Sequence, residues 1–228
     1  MNREKESCVK KKAKSGARRS SRKSSSGDGW ALFSAEAEYA ESIVQSSLGN
    51  AEASVAALKR SLACKPDYAP ALMSVGSVEY QLGRHAKGRK LFLMLLSLPK
   101  NTPDIITVID EAGEFLIQMR NYKDGLDLYR AAAARFPKTA VLHQGVGCCA
   151  AHEGFFDESI AASQRAFKLE PGNQELANDL GYSLYEAGRL EEAQKLLEKA
   201  VAMDPANELA RTNLSLCKTK MLQAKRKK

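Results

Sequence analysis

The chain of 228 residues reads as an all-α solenoid of about five helix-turn-helix units, closed by one further helix. Three observations predict this. Marker residues return every 34 positions, each interval holds two apolar runs with helical spacing, and proline follows the second run. Pro137, Pro171 and Pro205 keep the interval, as do Gly113, Gly147 and Gly181. Gly154 and Gly188 share it, and so do Ala132, Ala166 and Ala200. Four marker sets agree on one period.

Upstream, Gly49 and Gly83 are again 34 apart, but Gly83 to Arg120 is 37. A three-residue insertion is expected at Asn101-Thr102-Pro103, where turn chemistry is strong. The units are then 35–68, 69–102, 106–139, 140–173 and 174–207, inside a repeat domain spanning 29–207. Residues 1–28 form a basic, serine-rich segment expected to be disordered. Residues 208–228 form the last helix, with Asn207 as its cap and a basic end.

Within the last unit, Leu176, Leu180, Leu184 and Tyr185 recur at steps of three to four before Gly188-Arg189 interrupts. Leu190, Ala193, Leu196, Leu197, Ala200 and Val201 repeat the pattern until Asp204-Pro205 ends it. Glycine at the eighth position of a unit (Gly76, Gly113, Gly147, Gly181) removes a side chain where two helices approach. Alanine at the twenty-seventh (Ala132, Ala166, Ala200) does the same on the other helix. At the N-terminal end Trp30, Phe33, Ala37, Ala40 and Val44 fall on one face and are expected to cover the first unit, with Trp30 in the core. Arg211, Lys218 and Lys220, set among Leu209, Leu214, Leu216 and Met221, give the final helix a solvent-tolerant outer side.

The run Leu180-Gly181-x-x-Leu184, followed by Gly188, Ala193, Leu197, Ala200 and Pro205, resembles the tetratricopeptide repeat in length and signature positions. Departures are local. Ser159 and Ser163 stand where the family has Ala and a large apolar residue, Arg120 replaces a turn glycine, and Lys100 occupies a proline position. Glu41 and Ser42 occupy positions normally apolar and small, so the first helix of the first unit is expected to be displaced. The resemblance covers roughly residues 35–207 and implies a right-handed superhelix whose first helices line a concave surface.

By that resemblance the groove residues are Ser74, Ser77 and Gln81, then Thr107, Asp110, Glu111, Glu114 and Gln118. Gln144, Cys148 and His152 follow, then Glu175, Asn178, Asp179, Tyr182, Tyr185 and Glu186. Six are carboxylates and none is Lys or Arg. Members that clamp a C-terminal carboxylate carry basic residues and asparagines there, whereas this chain has Tyr39, Ile43, Ser74, Thr107 and Glu111. A basic, extended or helical protein segment is the expected partner.

The formal charge of +8 divides unevenly: +7 on residues 1–28, +7 on 211–228 and −6 on the body between. Lys10-Lys11-Lys12, Arg18-Arg19 and Arg22-Lys23 make the N-terminal segment a possible internal ligand of an acidic groove. The alternative use of the basic ends is nucleic-acid or ribosome association, although neither end carries interleaved aromatics for stacking. No apolar run approaches membrane-spanning length and no apolar stretch follows the N-terminal charges, so a cytoplasmic location is expected, or a nuclear one in a eukaryote. No phosphate loop, serine elbow or H-E-x-x-H pair occurs, and five cysteines without a C-x-x-C pair indicate no zinc module. A non-enzymatic interaction protein without cofactor or metal is therefore expected; Cys148 and His152, at i and i+4, are the nearest approach to a reactive pair.

Overall fold

A computed structural model describes residues 26–226. Eleven helices and no strand occur among the described residues. They pair as α1 (Ser26–Ser47) with α2 (Ala51–Cys64), α3 (Ala69–Gln81) with α4 (His85–Leu95), and α5 (Ile105–Gln118) with α6 (Tyr122–Arg135). The series continues with α7 (Ala140–His152) and α8 (Phe156–Leu169), then α9 (Gln174–Glu186) and α10 (Leu190–Met203), and ends on α11 (Glu208–Arg226). First helices pack on one another along the stack (α3–α5, α5–α7, α7–α9, α9–α11), whereas packing between second helices is slight and is seen at α4–α6. The first helices therefore line the inner side of the stack.

Turn chemistry sets the hairpins. Gly49, Gly83, Gly154 and Gly188 close the first helices in the left-handed region, with φ between 73° and 79°. In the third unit Arg120 takes that place at φ 57°, a conformation costly for a residue with a β-carbon. The insertion falls in the long connection from α4 to α5, which Asp104 ends, also in the left-handed region. The Arg135 guanidinium crosses from α6 and donates to the carbonyls of Leu96 and Leu98, satisfying backbone groups that the early end of α4 leaves open.

The four hairpins from α3 to α10 are locked where position 8 faces position 24. A β-carbon on Gly76 would lie 2.5 Å from the Phe92 ring, one on Gly147 2.6 Å from Ser163 Oγ, and one on Gly181 2.7 Å from Leu197 Cγ. In the third unit Gly113 faces the ring of Tyr129, which also lies against Gly145. Ser159 and Ser163, the departures in unit four, form a buried hydroxyl cluster. Ser159 Oγ lies 2.8 Å from the Gly147 carbonyl and 2.9 Å from Ser183 Oγ, and Ser163 Oγ is 3.2 Å from Ser183 Oγ. No hydroxyl there is left without a partner. The main core runs through units two to four, and a second cluster joins Leu180, Leu184 and Leu197 to Cys217 of α11.

Three expectations for the N-terminal end are corrected. Helix α1 begins at Ser26, inside the segment read as disordered, while residues 1–25 lie outside the described part. The face holding Trp30, Phe33, Ala37, Ala40 and Val44 does not cover the first unit: it points to solvent, with Trp30 71% and Phe33 62% exposed. The opposite face packs on α2, in register rather than displaced. Ser61 Oγ donates to Ala35 O at 2.8 Å and Ser54 Oγ to Ser42 O at 2.8 Å. Small side chains with hydroxyl partners let these two helices approach at a distance that a tryptophan would prevent.

Candidate functional site

The groove is built from the exposed or half-buried side of α3, α5, α7 and α9. A ladder of polar contacts with a constant 35-residue offset joins position 5 of one unit to position 6 of the next. Tyr39 Oη lies 3.4 Å from Ser74 Oγ, Gln144 Nε2 donates to Asp179 Oδ2 at 2.7 Å, and Asn213 Nδ2 donates to Asn178 Oδ1 at 2.9 Å. The rung from Asp110 has no such partner, because Gly145 stands opposite. Asp110 instead accepts from Tyr129 Oη at 2.9 Å, from beneath.

Seven of the seventeen residues expected in the groove meet in one hollow of about 360 Å³: Glu114, Gln144, Cys148, His152, Glu175, Asp179 and Tyr182. Its floor is Gly145, Gly147, Ser163 and Ser183, small residues that side-by-side helix packing requires and that pattern reading did not assign to the site. Ser74, Ser77 and Gln81 line a second hollow of about 370 Å³ with Tyr39, Ile43 and Met73. Thr107, Asp110, Glu111 and Gln118 lie between, on α5. Asp110 is half-buried and the other three are exposed.

The remaining three belong to the C-terminal end. Asn178 is only 4% exposed, its amide committed to Asn213 and Asp179, so it serves as a structural joint rather than an open contact. Tyr185 is half-covered by α11: Lys220 Nζ lies 4.3 Å from its ring centroid and donates to its carbonyl at 3.3 Å. Glu186 follows beside it, half-buried. Lys220 is thus a cation at the groove's end that the first-helix positions of five units do not include. Continuing the register into 208–220 would have found it.

Electrostatics divide the surface. Among the described residues no Lys or Arg lies within 4.0 Å of Asp110, Glu111, Glu114, Glu175, Asp179 or Glu186; the ion pairs lie elsewhere. On the outer helices Arg89 reaches Asp127 at 2.8 Å, Arg130 reaches Glu158 at 2.7 Å and Lys218 reaches Glu198 at 3.2 Å. Burial raises the pKa of Asp110 from its ordinary value, against the hydrogen bond from Tyr129. It raises Glu114 too, with help from the charge of Asp110, and it raises Asp179 despite Gln144 and Asn178. These carboxylates lack a compensating cation.

Burial, then the charges of Asp179 and Glu114, pushes the Cys148 thiol up to about 11. That direction is opposite to an activated nucleophile. His152 stacks on Tyr122 with ring centroids 3.9 Å apart, which spends the imidazole face on packing. Among the described residues no group of three or more His, Cys, Asp or Glu side chains converges to hold a metal.

A stack of helical hairpins with an inner polar groove defines the class: a helical-repeat interaction module. Tetratricopeptide-repeat models match residues 39–104 and 150–221, together more than half of the chain, and the chain belongs to that family. It is 25% identical over 109 residues to small glutamine-rich tetratricopeptide repeat-containing protein 2 of Mycosarcoma maydis, a match spanning 48% of this chain and 31% of that relative. The chain thus matches under a third of that relative's length. Among solved structures it is similar to MamA (41-end) from Desulfovibrio magneticus RS-1, with TM-score 0.56 and 19% identity over 77% of this chain and 97% of that one. YrrB, described as a TPR protein with an unusual peptide-binding site, has TM-score 0.55 and 19% identity, covering 82% and 97%. At these identities the likeness is one of fold. No helix among the described residues is long and apolar enough to cross a membrane.

Proposed function

We propose that this chain is a protein-interaction module whose groove between α5, α7 and α9 holds a basic segment of a partner protein. The supporting observation is the set of six groove carboxylates with no Lys or Arg beside them among the described residues, three of them pushed toward the neutral form by burial. A bound Lys or Arg removes that strain, so the groove favours a cationic ligand over a neutral one of equal size. YrrB shows that this fold accommodates a peptide-binding site. The intramolecular version, in which the basic residues of 1–25 compete for the groove, rests on charge alone.

The test is a titration of the full chain and its Asp110→Asn/Glu111→Gln/Glu114→Gln variant with a Lys/Arg-rich peptide and an acidic peptide of equal length. The wild type should bind the basic peptide and the variant about tenfold more weakly, the scale of one close charge pair. Equal binding by both chains removes the groove reading. Salt-dependent RNA binding by the full chain that is lost when residues 1–25 and 225–228 are deleted moves the function to the basic ends.

A further inference from the structure

Helix α1 packs on α2 with a face of small and polar residues and leaves its apolar face open. Besides the Arg60–Glu38 ion pair, α2 holds it through two hydroxyl contacts, Ser61 to the Ala35 carbonyl and Ser54 to the Ser42 carbonyl. Both contacts have residue numbers adding to 96, so Cys64, the last residue of α2, lies opposite residue 32. Residues 26–31 of α1 therefore project past the end of their partner helix. On the side turned away from α2 stand Trp30, Phe33, Ala37, Ala40 and Val44, all exposed, with Leu48 just beyond. Trp30 and Phe33 pack edge to face, 6.1 Å between centroids, with their outer surfaces open.

The spacing of these five is three, four, three, four. That is the seam of a helix meeting another helix, narrower than the stripe of a helix laid on a core. Large side chains stand at its N-terminal end, and Ala37 and Ala40 at its middle let a partner backbone come close. The flanking positions that would face a partner's flanks hold Glu36 and Glu41, both exposed. Helix α1 contains Asp28, Glu36, Glu38 and Glu41 and no Lys or Arg. A second copy of α1 thus offers no cation from its own helix in either orientation, and Arg60 of α2, which borders the seam beside Phe33, Ala37 and Glu41, is held by Glu38 at 2.7 Å.

We infer that the outward face of α1 docks an amphipathic α-helix of another protein, one with Lys or Arg on both sides of its apolar stripe. This surface is separate from the groove and stands or falls without it.

Trp30, the chain's sole tryptophan, reports directly on the seam. The probes are two synthetic three-heptad peptides, identical at their apolar positions, with Lys or with Glu at the flanking ones. Added to the full chain, the Lys-flanked peptide should shift Trp30 emission to the blue and the Glu-flanked peptide should not. Glu36→Lys/Glu41→Lys should reverse that preference, and Phe33→Asp should abolish the shift while leaving helical content unchanged. No shift with either peptide, or an equal shift with both, overturns the inference. So does a chain that sediments as a dimer with Trp30 already blue-shifted, or a shift produced by phosphatidylserine-containing vesicles and not by the Lys-flanked peptide.

Discussion

The Tyr129 hydroxyl donates to Asp110 Oδ1 at 2.9 Å, joining the centre of the core to the floor of the groove. The ring is fully buried and lies against Gly113 and Gly145, so two helices had to give up their β-carbons to admit it. Its hydrogen bond opposes the effect of burial on Asp110. Removing the hydroxyl alone, by Tyr129→Phe, should therefore raise the Asp110 pKa further and cost about 1 kcal/mol of stability. NMR titration of the Asp110 side chain and urea denaturation measure the two effects; an unmoved Asp110 pKa contradicts the linkage.

Gly181 faces Leu197, and a β-carbon there would meet Cγ at 2.7 Å and the Leu197 backbone nitrogen at 3.2 Å. The backbone contact limits relief by rotamer change. Gly181→Ala should destabilise by roughly 1–3 kcal/mol, the usual cost of overpacking. In a double-mutant cycle with Leu197→Ala the two losses should sum to more than the double variant shows, because truncation vacates the space that the new methyl needs. Strict additivity in chemical denaturation speaks against the contact.

Arg120 adopts φ 57° where four other hairpins use glycine. Its side chain is exposed and forms no ion pair among the described residues. Arg120→Gly should raise the denaturation midpoint, by about 1 kcal/mol in stability, through relief of the left-handed strain less the added freedom of the unfolded chain. An unchanged or lower midpoint would mean the turn is not strained.

Acidification should act on the groove in two ways. The folded-state pKa values of Asp110, Glu114 and Asp179 lie above their unfolded values, so the native chain takes up protons first as pH falls. Their ionised forms oppose folding at neutral pH, and that penalty fades as pH drops through the raised values. Glu158 behaves oppositely: Arg130 lowers its pKa, and its contribution is held above the unfolded value and lost below it. As pH falls from neutrality toward the ordinary carboxylate range, wild type should gain stability relative to Asp110→Asn/Glu114→Gln/Asp179→Asn. Over the same window its affinity for a basic peptide should fall. Parallel pH profiles for the two chains, by urea denaturation and by titration calorimetry, would falsify the raised values.

Much of this was legible in the chain itself. The period of 34, the hairpin glycines and the glycine at position 8 follow from residue spacing, because each unit repeats one local solution and buries it against its neighbours, whereas the residue at position 24 that each such glycine faces was found in the structure. The same register puts carboxylates at corresponding positions of the first helices, and the structure brings Glu114, Glu175 and Asp179 into one hollow. What register does not contain is the far end of a long-range contact. Asn178 occupies a groove position, yet Asn213 draws its amide into the joint with α11, and Lys220 reaches Tyr185 from a helix outside the five units. In α1 hydropathy favours the face with Trp30 and Phe33, since the other carries Ser34, Glu38 and Ser42. Only the packed structure decided for Ala35 and Ser42, since hydroxyl contacts to α2 need helices closer together than bulky side chains permit.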